Sequence, residues 1–173
     1  MKKLFKLMIV PVLVLSCFQT VWAQSSKASK QAVKVEEVKK LMDAQNYVFQ
    51  ADYVVPQRGN SRSLTYGYYL RVSKDTLDSY LPYFGRATSA PLDPTDGGIK
   101  VNTTKFDYKS TTTKKGGYEV VITPKETQSQ GSKDVRYFRL TVGATGYSSL
   151  QVIGNSRDPI SFNGYVEAKK SKK

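Results

Sequence analysis

The chain contains 173 residues, with 27 Lys and Arg against 14 Asp and Glu, a formal net charge of +13, one cysteine and no histidine. The absence of histidine excludes Ser–His and Cys–His nucleophile pairs. It also removes imidazole as a zinc ligand, so a zinc site would have to rely on carboxylates. The composition therefore disfavours the commonest forms of nucleophilic and zinc chemistry.

The first 23 residues have the pattern of a secretory signal. Lys2, Lys3 and Lys6 precede an apolar run from Leu7 to Leu15, and a short polar stretch leads to Ala23. Export signals share this order of charged, apolar and small-residue regions. The apolar run is shorter than the roughly 20 residues that span a bilayer. We expect cleavage after Ala23, no transmembrane helix in the mature chain, and a periplasmic or cell-envelope location.

Cys17 leaves a second form of the N-terminus open. The stretch Val14-Leu15-Ser16-Cys17 loosely resembles the lipobox of bacterial lipoproteins, in which the cysteine is lipidated. Small residues are usual where Leu15 and Ser16 stand, so ordinary cleavage is favoured over lipidation at Cys17. Without Cys17 the mature chain has no disulfide, and its stability must come from packing.

The positive charge is spread along the chain. Lys2, Lys3 and Lys6 leave with the signal, which lowers the net charge from +13 to +10, and a basic tail of residues 168–173 carries four lysines. Nucleic-acid binding needs a focused basic face, so no nucleic-acid partner is predicted. The pattern is that of a solvated basic surface in an envelope rich in anionic lipid and polysaccharide.

The mature chain has the length of a single domain. Residues 24–32 are polar and rich in Ser and Lys, and we expect a disordered leader there. Val35, Val38, Leu41 and Met42 then recur at helical spacing, which predicts an amphipathic helix over about residues 33–45. A single β-rich domain is expected over residues 33–167.

From Tyr47 onward the apolar period changes to two, which is typical of strands. Strands are predicted at Tyr47–Val55, Leu64–Val72, Thr76–Leu81, Ile99–Lys109, Tyr118–Thr123, Val135–Val142, Tyr147–Ile153 and Ile160–Val166. Short connections make neighbouring strands antiparallel. The fold class is therefore mainly β: an antiparallel meander of about eight strands that closes as a barrel or a two-layer sandwich, with one N-terminal amphipathic helix. A parity shift between Val101 and Phe106 predicts a bulge.

The segment Tyr80-Leu81-Pro82-Tyr83-Phe84-Gly85-Arg86-Ala87 is the most distinctive in the chain. Together with Gly97-Gly98-Ile99, Gly116-Gly117-Tyr118 and the closing Ser156-Arg157-Asp158-Pro159-Ile160-Ser161-Phe162-Asn163-Gly164, it resembles DUF4251, a family of exported Bacteroidetes proteins of unknown function. The resemblance covers most of residues 35–167. It implies an envelope protein and brings no catalytic residues.

The same segment is the candidate ligand-binding site. Tyr80, Tyr83 and Phe84 offer large apolar rings, and Arg86 can stack on a ring or bind an anion. Two interpretations stay open. The segment is either an aromatic plug that closes one end of the sheet, with Arg86 paired to an acid, or a lip that contacts a ligand.

Two further motifs are weaker. Asp75-Thr76-Leu77 resembles the O-glycosylation acceptor of Bacteroidetes envelope proteins, which would place a glycan on Thr76, although a plain tight turn explains it as well. Asp93-Pro94-Thr95-Asp96-Gly97 only faintly resembles a calcium loop, so neither a metal nor a cofactor is predicted. The remaining acids are expected on the surface rather than as a glycosidase pair.

The functional expectation is binding rather than catalysis. The leading hypothesis is a non-enzymatic envelope protein that binds a small apolar or carbohydrate ligand or a protein partner. The alternatives are a purely structural or assembly protein and, third, a hydrolase that uses carboxylates or Ser–Lys. Tyrosine is enriched, at 12 residues. A roomy, Tyr-lined interior would favour binding, whereas a filled interior would favour the structural role.

Overall fold

A computed structural model describes residues 19–87, 98–125 and 134–169. These residues form one helix and nine strands. The elements are α1 Gln19–Asp43, β1 Tyr47–Pro56, β2 Arg62–Val72, β3 Leu77–Pro82, β4 Gly98–Thr103, β5 Phe106–Thr112, β6 Tyr118–Pro124, β7 Val135–Val142, β8 Tyr147–Gly154 and β9 Ile160–Glu167.

The nine strands form one antiparallel sheet in the order β4-β3-β2-β1-β9-β8-β7-β6-β5. Two meanders, β1 to β4 and β5 to β9, are joined where β1 pairs with β9 along most of its length. The sheet curls into a nearly closed barrel, which confirms the mainly β prediction with one N-terminal helix. β4 and β5 are the two edge strands of this sheet.

The predicted strand from Ile99 to Lys109 is divided into β4 and β5. Every pairing is antiparallel and eight pairings separate the two strands, so β4 and β5 run in the same direction. The chain leaves β3 at Thr103 and pairs with β6 from Phe106. The Thr103 hydroxyl accepts a hydrogen bond from the Lys105 N–H at 3.1 Å in this break. The shift in apolar alternation between Val101 and Phe106 therefore marks the short connection between β4 and β5, the two edge strands of the sheet.

Helix α1 lies against the end of the barrel where β1 and β8 begin. Val38 and Met42 are buried, whereas Val35 is 38% exposed. A Cβ on Gly146 would lie 3.2 Å from Cγ2 of Val38, so the β7–β8 loop packs directly on the helix. The helix ends at Asp43, and Gln45 takes a left-handed conformation with φ of 49°.

The helix begins earlier than predicted. Its 25 residues include the segment 24–32, for which a disordered leader was expected. Ala28, Lys30 and Ala32 in this segment have high helix propensity, which continues the helix without an apolar face. Apolar residues recur at helical spacing only where one face of the helix is buried against the barrel, so this pattern cannot predict the rest of the helix.

A β-bulge on β1 changes which residues of its second half face inward. Tyr47, Phe49 and Ala51 are buried. The register then shifts between Ala51 and Tyr53 against both neighbouring strands. The extra residue turns Tyr53 outward, 54% exposed, and Val54 inward, fully buried.

Large side chains occupy the barrel interior. Tyr47, Phe49, Phe138, Phe162 and Leu70 are each less than 2% exposed. The Tyr47 hydroxyl of β1 lies 3.4 Å from the Tyr108 hydroxyl of β5, five strands away in the sheet. Side chains from distant strands therefore meet across the interior, and the tyrosines here fill space rather than line a cavity.

We expect Gly164→Ala to lower the free energy of unfolding by about 2 kcal/mol, within the range of overpacked cores. The new Cβ would collide with the backbone carbonyl of Gln50 and lie 3.1 Å from the Ala51 Cα, which would force β1 and β9 apart. Urea unfolding measures the change.

The matched control for this substitution is Gly67→Ala. Its Cβ would lie 3.6 Å from the Gln50 Nε2, an ordinary contact. The free energy of unfolding should change by no more than about 0.5 kcal/mol. Equal losses in both variants would contradict the importance of close β1–β9 packing.

Tyr47 makes the stability of the protein fall at alkaline pH. Burial first, and then the neighbouring Tyr108, raise the pKa of Tyr47 well above its ordinary value of 10.0. The folded state therefore holds this proton more tightly than the unfolded chain. The resulting stability is complete below about pH 10 and is lost as the pH rises through 10 toward the folded-state pKa.

Urea unfolding between about pH 8 and pH 11 should consequently show a smaller alkaline loss of stability for Tyr47→Phe than for the native chain. Tyr53→Phe, which removes the hydroxyl of an exposed tyrosine, is the control variant. Parallel pH profiles for Tyr47→Phe and the native chain would contradict this account.

Candidate functional site

A groove of about 310 Å³ lies at the end of the barrel away from the helix. β1 ends there, β2 begins there, and the β8–β9 turn and the segment after β3 border the same end. The groove is lined by Pro56, Gln57, Arg58, Gly59, Asn60, Arg62, Phe84, Gly85, Arg86 and Asp158. Its volume is at the lower end of the range for small-molecule sites.

The structure places the four predicted ligand-binding residues in different locations. Phe84 and Arg86 line the groove. Tyr83 is half-buried beneath it, and Tyr80 lies on the outer face of β3, 45% exposed. Strand alternation separates Tyr80 from the others, because β3 continues to Pro82 and only the residues after it reach the groove.

Tyr83 holds the segment in place. Its hydroxyl donates a hydrogen bond to the Arg86 carbonyl at 2.7 Å and is 3.2 Å from the Asp158 carbonyl oxygen. A Cβ on Gly85 would lie 2.7 Å from the Cζ of Tyr83, so the ring packs directly over the glycine. Burial, and then the Asp158 carboxylate, raise the pKa of Tyr83, which keeps the hydroxyl protonated as a donor.

Arg157, rather than Arg86, stacks on Tyr83 and is paired to an acid. Its guanidinium carbon lies 5.1 Å from the centre of the Tyr83 ring. Its Nη1 donates to the Gly98 carbonyl at 3.0 Å, and its Nε lies 3.5 Å from a carboxylate oxygen of Asp134. Both charged side chains are almost fully buried, at 9% and 12% exposure. Among the described residues, Arg157 therefore takes the place beside the Tyr83 ring and an acid that the plug interpretation gave to Arg86, and the choice between plug and lip stays a prediction.

The strand register, rather than the sequence, reveals this pair. The β7–β8 register places Val135 opposite Gly154, which brings Asp134 and the turn containing Arg157 to the same end of the hairpin. Without the register, an acid and a basic residue more than 20 positions apart cannot be recognised as partners.

We expect Arg157→Met to lower the free energy of unfolding by about 3 kcal/mol, because it leaves the buried Asp134 carboxylate without its cation. Arg139→Met is the matched control. The Arg139–Glu119 pair is 3.8 Å apart and both side chains are 47% exposed, so its loss should cost less than about 1 kcal/mol. Urea unfolding compares the two variants, and similar costs would contradict a structural role for the Arg157–Asp134 pair.

Three arginines and one carboxylate give the groove lining a net charge of +2. The Arg62 guanidinium carbon lies 5.0 Å from the centre of the Phe84 ring. Arg58 and Arg86 are exposed, and neither has a carboxylate partner among the described residues. Within the described residues, two exposed guanidinium groups at the groove therefore have no carboxylate partner.

Sequence reasoning missed Arg58, Arg62 and Asp158 as lining residues. Residues 56–62 fall between the first two predicted strands, and the two arginines in this short segment, Arg58 and Arg62, are a visible signal. The sequence could not predict that the β1–β2 loop and the segment after β3 lie on opposite sides of the same groove.

The other candidate residues have simpler surroundings. The Thr76 hydroxyl donates to the Asp75 carboxylate at 3.1 Å, and the Thr76 carbonyl accepts from the Ser73 N–H at 2.9 Å. The tight turn is therefore present, and glycosylation of Thr76 stays a prediction. Cys17 and the Asp93–Gly97 motif lie outside the described residues.

Surface acids form exposed ion pairs. Asp107 pairs with Lys125 at 2.7 Å and Asp78 pairs with Arg71 at 3.4 Å. Within residues 19–87, 98–125 and 134–169, no three Cys, Asp or Glu side chains come together in a way that suits a metal ion. No helix in these same ranges combines the length and hydrophobicity needed to cross a membrane.

The chain belongs to the DUF4251 family, because the family model described as "Domain of unknown function (DUF4251)" matches residues 29–166. The fold is similar to that in the crystal structure of a DUF4251 family protein from Bacteroides eggerthii DSM 20697, with a TM-score of 0.58. That match is 18% identical in sequence and covers 80% of this chain and 91% of the other. No curated protein matches the chain.

Proposed function

We propose that this chain is an exported, non-enzymatic binding protein whose groove takes a small ligand that carries a carboxylate or phosphate group. The observation that carries the proposal is the pair of exposed arginines, Arg58 and Arg86, which face the groove without an acidic partner among the described residues. Export rests on the signal pattern of residues 1–23.

Guanidinium groups suit this ligand class. Each presents a planar fork of N–H donors that matches a carboxylate or phosphate. The backbone that carries Arg86 is held by Tyr83, so the arginine starts from a fixed main-chain position. Arg62 lies over Phe84 and adds a third positive charge to the lining. A preorganised cationic site of this kind loses less entropy when an anion binds.

Two observations weigh against a ligand inside the barrel and against catalysis. The filled interior weighs against an apolar ligand inside the barrel. The absence of histidine, together with acids that are paired on the surface, supports a role without catalysis. A structural or assembly role is the second candidate, and the filled interior and the buried Arg157–Asp134 pair favour it.

The test compares galacturonate and glucose 6-phosphate with galactose, at matched ionic strength. At ten times the dissociation constant, a bound anion should stabilise the protein by about 1.4 kcal/mol. This corresponds to a rise in melting temperature of about 4 °C. The Arg58→Ala/Arg86→Ala double variant should lose this shift, as measured by thermal denaturation and by calorimetric titration.

The control variant is Lys114→Ala/Lys115→Ala. It removes the same two charges from the exposed β5–β6 turn, which lies at the other end of β6 from Pro124, and it should keep the shift. If both variants lost the shift in melting temperature equally, the effect would be due to net charge, which would contradict specific anion binding in the groove. No shift with either anion at millimolar concentration would favour the structural role.

A further inference from the structure

The exposed tyrosines of the described residues share one region of the barrel surface. Tyr53, Tyr80, Tyr147 and Tyr165 are 45% to 54% exposed and lie on β1, β3, β8 and β9. With β2, these strands are consecutive in the sheet. Large exposed rings are costly to leave in water, and a cluster of them commonly marks an interaction site.

The strand register aligns four tyrosines in a single row. Tyr147 is opposite Tyr165, Tyr165 is opposite Gln50, Gln50 is opposite Tyr69, and Tyr69 is opposite Tyr80. We call these five residues the tyrosine row. Ring centres are 5.4 Å apart for Tyr147 and Tyr165 and 6.3 Å apart for Tyr69 and Tyr80. Across five strands the row is about 19 Å long.

The centre of the tyrosine row is polar. Gln50 lies between the two pairs of rings, and its amide offers both donors and an acceptor. Gly67, whose Cβ position would be 3.6 Å from the Gln50 Nε2, has no side chain and leaves this amide accessible from one side. Rings flanking an amide match a ligand that has apolar C–H faces and hydroxyl edges, which is the chemistry of a sugar.

The charge at the tyrosine row favours an uncharged ligand. Arg71 stacks on Tyr69, with its guanidinium carbon 3.8 Å from the ring centre, and it pairs with Asp78 at 3.4 Å. Arg71 and Asp78 therefore neutralise each other, and Lys100, which lies opposite Tyr80 on β4, has a contact of its own. In the groove, by contrast, Arg58 and Arg86 have no carboxylate partner among the described residues.

We propose that the tyrosine row is a binding surface for a neutral carbohydrate chain of several sugar units. The proposal is independent of the anion-binding groove, because it uses other residues on the outer face of the barrel. The length of the row exceeds what a single sugar unit covers, so affinity should increase with the number of units.

Calorimetric titration of the full chain with neutral hexasaccharides of the cello, laminari and malto series, each compared with glucose, tests this proposal. At least one hexasaccharide should bind and glucose should bind more weakly. Tyr147→Ala/Tyr165→Ala and Tyr69→Ala/Tyr80→Ala should each lower the association constant by at least about tenfold, as expected for central aromatic contacts.

Tyr137→Ala is the matched control. Tyr137 is a half-buried tyrosine on β7 with Arg139 5.7 Å from its ring centre, and it lies outside the row. It should leave the affinity unchanged, as should Arg58→Ala/Arg86→Ala, which separates this site from the groove. The exposed positions of the row allow substitution without loss of the core, and urea unfolding verifies that each variant is folded.

Three results would overturn the proposal. The first is no binding of any of these hexasaccharides at millimolar concentration. The second is equal weakening by the Tyr137→Ala control. The third is concentration-dependent self-association that the row variants abolish while no sugar binds, which would assign the surface to a second copy of the chain.

Discussion

The pairing of β1 with β9 joins the two halves of this protein. Each half is a local meander, and only this pairing, with the short chain between β4 and β5 on the far side, turns two meanders into a barrel. The close approach of β9 to β1 depends on Gly164, because a Cβ at this position would collide with the β1 backbone. The bulge that β1 makes against both neighbours then decides which residues beyond Ala51 face inward.

Barrel closure places different chemistry on different surfaces. The helix and the β7–β8 loop cover one end, and the interior is filled by side chains such as Phe49 and Phe138. Polar contacts with the environment are therefore confined to the outside. The groove at the other end carries arginines that have no acidic partner among the described residues, and the outer face of β8, β9, β1, β2 and β3 carries aligned tyrosines. One surface suits an anion and the other an uncharged, ring-shaped ligand.

The Arg157–Asp134 pair connects the fold to the groove. A buried ion pair contributes little stability in itself but is costly to break. Here it contacts the Tyr83 ring and the Gly98 carbonyl, and Tyr83 in turn holds the backbone of Arg86. The segment from Tyr83 to Arg86 is thus attached to the β8–β9 turn through the half-buried Tyr83, and the exposed Arg86 lines the groove.

Local patterns in the sequence were sufficient for the β class and the helix near residue 38, because alternation and helical spacing act over a few residues. They also identified the segment that supplies Phe84 and Arg86. Three features depended on the tertiary structure. They are which residues of β1 face inward after Ala51, which acid pairs with Arg157, and the alignment of Tyr147, Tyr165, Tyr69 and Tyr80. Each follows from register between strands far apart in the chain, and a one-residue bulge or slip, invisible to local periodicity, changes which side chains meet.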